Sequence, residues 1–393
     1  MLELALKGNK TYWCWVLVLI GVISAGVAVF IYQCKFGLGI TGLSQDVSWG
    51  FYVAQLTFLV GVAASAVMVV LPYYLHNYQD FGKLTMIGEF TAVASVSMCG
   101  LFLFVDIGQP MRALNVFLYP SPKSIVFWDS IVLIGYLFIN IIVGWKVTEA
   151  QRNGVKPDFW VYPLIYLSIP WAFAIHTVTA FLYCGLPGRG FWLTAIMAPR
   201  FLASAFSSGP AFLILLCLFL RKISGFDPGK PAIQSLAKIV IYALVANLFF
   251  LGCEAFVVFY SGIPEHMDHF LYLYQGLDGH SIIVPWMRTA LALMLLSLLL
   301  LIIPSTRKDE TILVVSCVLV FIGTWIDKGL GLITGGFVPS PLHNIVDYVP
   351  TIPEIIISLG IYGIGILILT VLVKIVISVK EENGPYLELN KIP

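Results

Sequence analysis

Ten long apolar segments follow one another along the chain, and short polar stretches separate them. A segment of about 20 mostly apolar residues is long enough to cross a bilayer as a helix. The stretches between them include YPSPKS, GFDPGKP and PSTRKDE, whose proline, glycine and charged residues are typical of loops. The ten segments cover approximately residues 12–32, 49–75, 84–107, 124–146, 160–184, 193–220, 236–260, 284–304, 311–334 and 354–379. This pattern predicts an all-α integral membrane protein, with residues 1–393 forming a single polytopic membrane domain.

The composition agrees with that prediction and excludes a soluble globular protein. Apolar residues make up 59% of the chain and charged residues only 11%, whereas a soluble domain carries roughly 25% charged residues. The formal net charge of +1 gives no reason to expect a nucleic-acid partner. The first apolar segment is long enough to span and lacks a small-residue cleavage site, so we interpret it as a membrane helix rather than a signal peptide.

Lysine and arginine are concentrated in the connections on one side of the predicted helices. With the N-terminus inside, 15 of the 22 basic residues fall in inner segments, four in outer connections and three in or at the ends of spans. Short basic segments stay on the cytoplasmic side of a membrane. The sequence therefore predicts an inner-membrane protein with both termini in the cytoplasm.

The outer connections, approximately 33–48, 108–123, 261–283 and 335–353, are longer than the inner ones and rich in aromatic residues, glycine and proline. They are interpreted either as a docking surface for a partner or as ordinary loops.

Two groups of spans show a similar beginning. The second span opens with WGFYVAQLTFLVGVAASA and the sixth with PRFLASAFSSGPAFLI, both of which mix small and aromatic residues. We interpret the similarity as a parallel repeat of two four-helix bundles, although small residues also serve helix packing in any membrane protein. The first bundle would cover 49–184 and the second 193–334, with the first helix and the last, 354–379, on either side.

Cysteine and histidine are sparse in positions that would hold a metal or haem. None of the seven cysteines forms a CxxC pair, so the sequence predicts no metal site and no iron–sulfur cluster in this chain. Only His176 of the six histidines lies well inside an apolar segment. A membrane b-type haem usually needs two buried imidazoles, so a cytochrome b is also not predicted.

Ten ionisable residues fall within or at the ends of the predicted spans. Each costs about 2.5–3.5 kcal/mol at membrane depth on insertion scales, and such residues usually face the interior of the bundle. Apart from Glu89, all are predicted in the outer half of the membrane, where three of them (Asp106, Arg288 and Glu354) are equally consistent with an interfacial position. The ten are Glu89, Asp106, Asp129, His176, Arg200, Glu254, Arg288, Asp327, Lys328 and Glu354.

This layer suits proton exchange with a quinone head group. Reduction of a quinone takes up two electrons and two protons, and carboxylates or a histidine can donate and accept those protons. Because the sequence shows no ligand set for a metal or cluster, the electron acceptor would belong to another protein of the same complex.

Several motifs resemble the NrfD/polysulfide-reductase family of membrane subunits from quinone-linked redox complexes. In the first half they are SWGFYVAQLTFLVGVAASA, the GEF around Glu89, VDIGQPMR from Val105 and FWD ending at Asp129. In the second half they are APRFLASAFSSGPA, the span of Glu254, WIDKG and GFVPSPLHNIVDYVPTIPE. The resemblance covers nearly the whole chain and is strongest to the ten-helix DsrP branch of sulfur-metabolising prokaryotes.

This resemblance implies a subunit that binds menaquinone as its substrate near the outer face and carries no haem, flavin or iron–sulfur cluster. It implies a periplasm-side iron–sulfur protein, a multihaem cytochrome c and further membrane and cytoplasmic subunits as partners.

The resemblance also implies roles for particular residues. Asp129, His176 and Glu89 would handle protons as the catalytic groups. The quinone site would comprise Trp49, Gln55, Asp106, Arg112, Asp129 and His176. A proton path would comprise Glu89, Glu254, Arg288, Asp327 and Lys328.

Two alternatives remain open at the level of sequence. A secondary transporter would also show a repeat and buried charges, but its substrate site would lie near the membrane midplane. A purely structural anchor would not need Asp129 or His176. The resemblance favours a subunit of a menaquinol oxidoreductase complex over both.

Overall fold

The computed structural model describes residues 1–383, with side chains up to Val379, and it consists of helices and connecting loops. Ten helices are long and apolar enough to cross a membrane. We label them α1 to α10: Lys10–Phe36, Phe51–His76, Thr85–Asp106, Ile125–Asn153, Val161–Cys184, Met197–Ser224, Lys230–Ser261, Val284–Ile302, Glu310–Phe337 and Ile352–Asn383. No β-strand occurs within residues 1–383. The prediction of an all-α membrane protein with ten spans is therefore confirmed.

The two ends of the helices carry connections of different length. The end that we call the loop-rich end carries the segments 37–50, 107–124, 185–196, 262–283 and 338–351. One of these contains a further helix, Pro264–Tyr274. The opposite end carries the shorter segments 77–84, 154–160, 225–229 and 303–309. The basic-residue bias predicts that the loop-rich end faces outward.

Helix packing divides the spans into neighbouring groups. Helices α2, α3, α4 and α5 pack in chain order, and α6 to α9 pack against one another in the same way. Helix α1 packs along α10, and α10 packs against α3. The two groups meet where α2 contacts α6 and α9 and where α5 contacts α6.

Small residues allow α2 and α6 to approach closely. A Cβ placed on Gly209 would lie 2.9 Å from the backbone nitrogen of Ser65, and one on Gly61 would lie 3.5 Å from the Cα of Ala205. Close backbone approach through small residues is a common way for membrane helices to pack. Helix α2 also breaks at Ala64, whose N–H donates to the Gly61 carbonyl at 3.0 Å, one residue short of the α-helical pattern.

Helix α9 contains a π-helical turn, Trp325–Gly331. Such turns are rare and frequently occur at functional sites. This one lies against α2, because a Cβ on Gly329 would be 3.1 Å from the carbonyl oxygen of Ala54. The π turn therefore lies at the boundary between the two groups of helices.

Candidate functional site

Asp129 of α4 and His176 of α5 are buried, four and eight residues from the loop-rich ends of their helices. Asp129 is 5% exposed, and Thr179 Oγ1 donates a hydrogen bond to its Oδ1 at 2.6 Å. Thr179 follows His176 by three residues, a spacing that places both on one face of the helix. The structure therefore brings the two predicted acid–base residues to adjacent helices in the first group.

The imidazole of His176 has unused hydrogen-bonding capacity. The residue is 0% exposed, and neither Nδ1 nor Nε2 has a hydrogen-bond partner within the described part of the chain. A buried polar group without a partner costs about 1–3 kcal/mol. A polar ligand that reached this position would recover that free energy.

An aromatic cluster lies toward the loop-rich end of the same region. The ring of Trp49 is 5.7 Å from that of Tyr183, 6.0 Å from Trp192 and 5.8 Å from Phe337, measured between centroids. The Tyr183 hydroxyl is hydrogen-bonded to Thr57 of α2. Aromatic rings in offset or edge arrangements pack favourably with one another and with flat ligands.

Gln55 connects α2 to two other helices through its side-chain carbonyl. Its Oε1 accepts hydrogen bonds from Trp325 Nε1 at 2.8 Å and from the Tyr362 hydroxyl at 2.6 Å. Its buried Nε2 has no partner in residues 1–383. The carbonyl oxygen of Gln55 thus already accepts two hydrogen bonds from neighbouring helices, whereas its amide NH₂ is available as a donor.

Asp106 ends α3 and is partly buried, and its Oδ1 has no hydrogen-bond partner in the described structure.

Glu354, which could have faced water at the interface, is instead 0% exposed. It accepts hydrogen bonds from the backbone N–H of Gly42 at 2.8 Å and of Thr351 at 2.8 Å, and from the Tyr348 hydroxyl at 2.5 Å. Burial, followed by the nearby Glu354 carboxylate, raises the pKa of Tyr348, so its hydroxyl stays protonated and can donate. Glu354 therefore ties the start of α10 to the loop after α1.

Three predicted site residues lie away from Asp129 and His176. Glu89 is buried near the opposite end of α3, and its Oε2 has no hydrogen-bond partner among residues 1–383. Arg112 is exposed in the short turn Pro110–Arg112. Arg288 is exposed on α8, where its Nε donates to the Tyr274 carbonyl at 2.8 Å.

An ion-pair cluster lies in the second group of helices. Arg200 of α6 donates from Nη2 to Asp327 Oδ1 of α9 at 2.9 Å and from Nη1 to Glu254 Oε2 of α7. Lys328 follows Asp327 and is 4% exposed; its Nζ donates to the Phe201 carbonyl at 3.2 Å. Two basic side chains and two carboxylates are thus largely buried in one region.

Sequence reasoning includes Arg200 among the buried ionisable residues without assigning it to the site. The structure places it at the centre of the cluster, with partners 54 and 127 residues away in the chain. Thr179, Tyr183 and Trp192 are not singled out by the sequence either, because a hydroxyl or an aromatic ring is common in any membrane span. Within a membrane span, a charged residue is the one feature of the sequence that indicates a functional position.

The described residues contain no group of three or more histidine, cysteine, aspartate or glutamate side chains arranged to hold a metal ion.

Comparison with known proteins gives a family match over the centre of the chain. Residues 39–339 match the family described as polysulphide reductase, NrfD. The matched region contains α2 to α9, whereas α1 and α10 lie outside it.

Similar proteins are known from archaea and bacteria. A Halobacterium salinarum protein, provisionally described as a membrane subunit of dimethyl sulfoxide reductase, is 26% identical over 91% of this chain and 88% of its own length. The Hdr-like menaquinol oxidoreductase integral membrane subunit of Archaeoglobus fulgidus is 23% identical over 67% of this chain and 64% of its own length. The menaquinone reductase, integral membrane subunit, of Nitratidesulfovibrio vulgaris is 22% identical over 81% of this chain and 80% of its own length. With a family match over residues 39–339 and ten membrane-spanning helices, this chain is a multi-pass membrane protein of the polysulphide reductase NrfD family.

Proposed function

We propose that this chain is the quinone-interacting membrane subunit of a redox complex, in which it serves electron exchange between menaquinol or menaquinone and a partner protein. The observation that carries the proposal is the pair of unpartnered ring nitrogens of His176, within the described residues, one helical turn before Thr179, which donates to Asp129. Two relatives whose names refer to menaquinol or menaquinone support the choice of substrate.

The residues around His176 have the chemistry that a quinone head group requires. A quinone oxygen accepts hydrogen bonds and gains a proton on reduction; a neutral imidazole donates from one nitrogen and accepts at the other. Asp129 can accept a proton at its carboxylate, and Thr179 holds that carboxylate in place. These two groups would exchange the protons of the substrate while water is excluded.

The remaining residues of the proposed quinone site have supporting or more distant positions. Trp49 supplies an aromatic face, Gln55 an unused amide donor and Asp106 an unused acceptor near the loop-rich end, as far as residues 1–383 show. Arg112 would act at the surface, where it can contact a partner. Glu89 would exchange protons on the opposite side of the membrane.

The second group of helices is proposed to conduct protons. Asp327 lies ten residues before the end of α9, roughly 15 Å at 1.5 Å per residue, so the ion-pair cluster extends toward the middle of the membrane. Together with Glu89, the proposed path comprises Glu254, Asp327 and Lys328, and Arg288 would contribute near the loop-rich end. A transporter would also use charges at this depth, but the names of the relatives above favour a redox subunit.

The redox partner is proposed to dock at the loop-rich end, closest to Asp129. It would be an iron–sulfur protein on the periplasmic side, followed by a multihaem cytochrome c and accompanied by further membrane and cytoplasmic subunits. Assignment to the DsrP branch and to sulfur metabolism stays a prediction.

The orientation can be tested with thiol labelling. In a background without the native cysteines, cysteine at Arg112, His266 or Leu342, all exposed at the loop-rich end, should react with an impermeant maleimide in intact spheroplasts. Cysteine at Lys156, at the opposite end, should react only after the membrane is disrupted. The reverse pattern would place the loop-rich end in the cytoplasm and move the proposed docking surface with it.

The proposed site can be tested through the hydroxyl that holds Asp129. Thr179→Val removes the hydrogen bond to Asp129 and should lower menaquinol turnover by about tenfold, the equivalent of a lost hydrogen bond to a charged group. Thr177→Val is the matched control, because Thr177 Oγ1 donates within its own helix to the Phe173 carbonyl. Equal turnover in the two variants, at equal amounts of assembled complex, would argue against a catalytic position for Asp129.

A further inference from the structure

A cavity of about 450 Å³ lies at the end of the helices opposite to the loop-rich end. It opens to the surface between the start of α1 and the last part of α10. The residues that line it are Lys7, Gly8, Asn9, Tyr12 and Lys374. Two of these residues are basic and none is acidic, so the cavity has the charge of a site for an anionic group.

The contacts of Tyr12 fix one wall of the cavity. Its hydroxyl donates to the Ala5 carbonyl at 2.9 Å, and its backbone N–H donates to Asn9 Oδ1 at 2.9 Å. The ring lies directly against Gly8, where a Cβ would be 2.1 Å from Tyr12 Cδ1. The short helix Leu2–Ala5 in turn packs along α10. The turn that forms this wall is therefore held against α10 by specific contacts.

The cavity lies at the depth of the lipid headgroups. A transmembrane helix crosses the hydrocarbon core in about 20 residues, and Lys374 is the twenty-third residue of α10, which begins at Ile352. Trp15 of α1 is 45% exposed, and its Nε1 donates at 3.3 Å to Thr370 Oγ1, one turn before Lys374. Tryptophan is enriched where the membrane meets water, so both helices place the cavity at this boundary.

The two lysines have no counter-charge in the described part of the chain. Neither Lys7 nor Lys374 forms an ion pair with a described side chain. Glu3, the acidic residue nearest to Lys7 in sequence, pairs instead with Arg152 at 3.2 Å. Farther along α1, apolar side chains such as Leu17 are exposed. Two ammonium groups beside an exposed apolar helix surface match the phosphate and the acyl chains of a phospholipid.

We propose that this cavity binds the headgroup of an anionic phospholipid, whose phosphate is contacted by Lys7 and Lys374. Basic pockets between membrane helices are known to bind anionic headgroups. The lipid would join the turn before α1 to α10, a pair of helices that both lie outside the family match over residues 39–339. The proposal is independent of the quinone assignment.

The test uses the full-length chain with its co-purifying subunits in phosphatidylcholine nanodiscs. The nanodiscs contain increasing mole fractions of a photoactivatable phosphatidylglycerol, and mass spectrometry measures the labelled fraction of the peptides that carry Lys7 and Lys374. Half-maximal labelling should require about 25-fold less of this probe than of a photoactivatable phosphatidylcholine, since each basic residue near an anionic lipid contributes about 1 kcal/mol, or about fivefold.

Substitutions of single lysines separate the cavity from the general positive charge of this end. Lys7→Gln and Lys374→Gln should each raise the half-maximal mole fraction about fivefold. Lys222→Gln is the matched control, because it removes an exposed lysine at the same end of the molecule but outside the cavity. It should leave the half-maximal mole fraction unchanged.

Two glycine variants test the shape of the cavity and leave its charge in place. Gly8→Ala puts a methyl group against the ring of Tyr12 and should weaken labelling, because the ring is displaced. Gly21→Ala on α1 meets nothing within 4 Å and should behave as wild type.

Four results would overturn the proposal. Equal labelling by the two lipid probes would show that the anionic headgroup is not recognised. An equal effect of Lys7→Gln and Lys222→Gln would reduce the site to general attraction by a basic surface, and wild-type labelling in Gly8→Ala would show that the cavity is not used. Displacement of the probe by inorganic phosphate, but not by chloride at the same ionic strength, would assign the site to free phosphate rather than to a lipid.

Discussion

Asp129→Asn and His176→Ala should each slow menaquinol turnover by roughly 100-fold or more, the loss expected for one positioned acid–base group. Asparagine keeps the size of Asp129 and can still accept from Thr179, but it cannot take a proton at physiological pH. Alanine removes both ring nitrogens of His176. The complex should still assemble, because neither substitution leaves a buried charge without a partner.

Matched substitutions at exposed positions show whether the effect is specific. Asp158→Asn and His76→Ala change the same residue types at exposed positions near the opposite end and should leave turnover unchanged. Glu254→Gln and Asp327→Asn, in the other group of helices, should leave quinone affinity nearly unchanged and lower the membrane potential. If all four buried variants lose assembled complex equally and keep normal turnover per complex, the residues are structural and both assignments fail.

Arg200→Leu should strongly reduce the amount of folded subunit. The substitution leaves the carboxylates of Glu254 and Asp327 buried without the guanidinium that they share, and breaking a buried ion pair in this way costs about 3–5 kcal/mol. Blue-native electrophoresis of solubilised membranes measures the assembled fraction directly. Arg200→Lys keeps the positive charge and should give an intermediate amount of assembled complex. Lysine lacks the planar guanidinium that donates to both carboxylates at once.

A variant in which Arg200, Glu254 and Asp327 are all replaced by leucine separates stability from function. Apolar replacement of a complete buried ion cluster is often neutral or stabilising, so assembly should recover relative to Arg200→Leu. The membrane potential should remain absent. If the triple variant generated a normal potential, the cluster would have no part in proton conduction.

The spans themselves could be predicted because bilayer thickness fixes helix length and excludes charges. The same reasoning could not locate the break at Ala64 or the π turn Trp325–Gly331. The π turn contains Asp327 and Lys328, but charged residues occur in α-helical turns as well and do not indicate a π turn. Its contacts with Ala54 and Gln55 join residues that are far apart in sequence. Hydropathy carries no signal for either feature.

The sequence gives the position of a charged residue along its helix, but it does not give the direction of the side chain around the helix. The sequence assigns both Arg288 and Asp327 to one proton path, yet Arg288 is exposed on α8 and Asp327 is buried against Arg200. In a soluble helix the apolar stripe indicates the buried face. In a membrane helix the lipid-facing side is also apolar, so that signal is lost and only the packed structure distinguishes the two sides.

The most direct test of the central claim is to locate the bound quinone by photoaffinity labelling. The intact complex is irradiated with an azido-naphthoquinone, with and without excess menaquinone, and the labelled peptides are identified by mass spectrometry. The account predicts competable labelling on α4 and α5, within residues 125–184, and its loss in His176→Ala. Competable labelling confined to α6–α9, or labelling that menaquinone does not displace, would contradict a quinone site at Asp129 and His176.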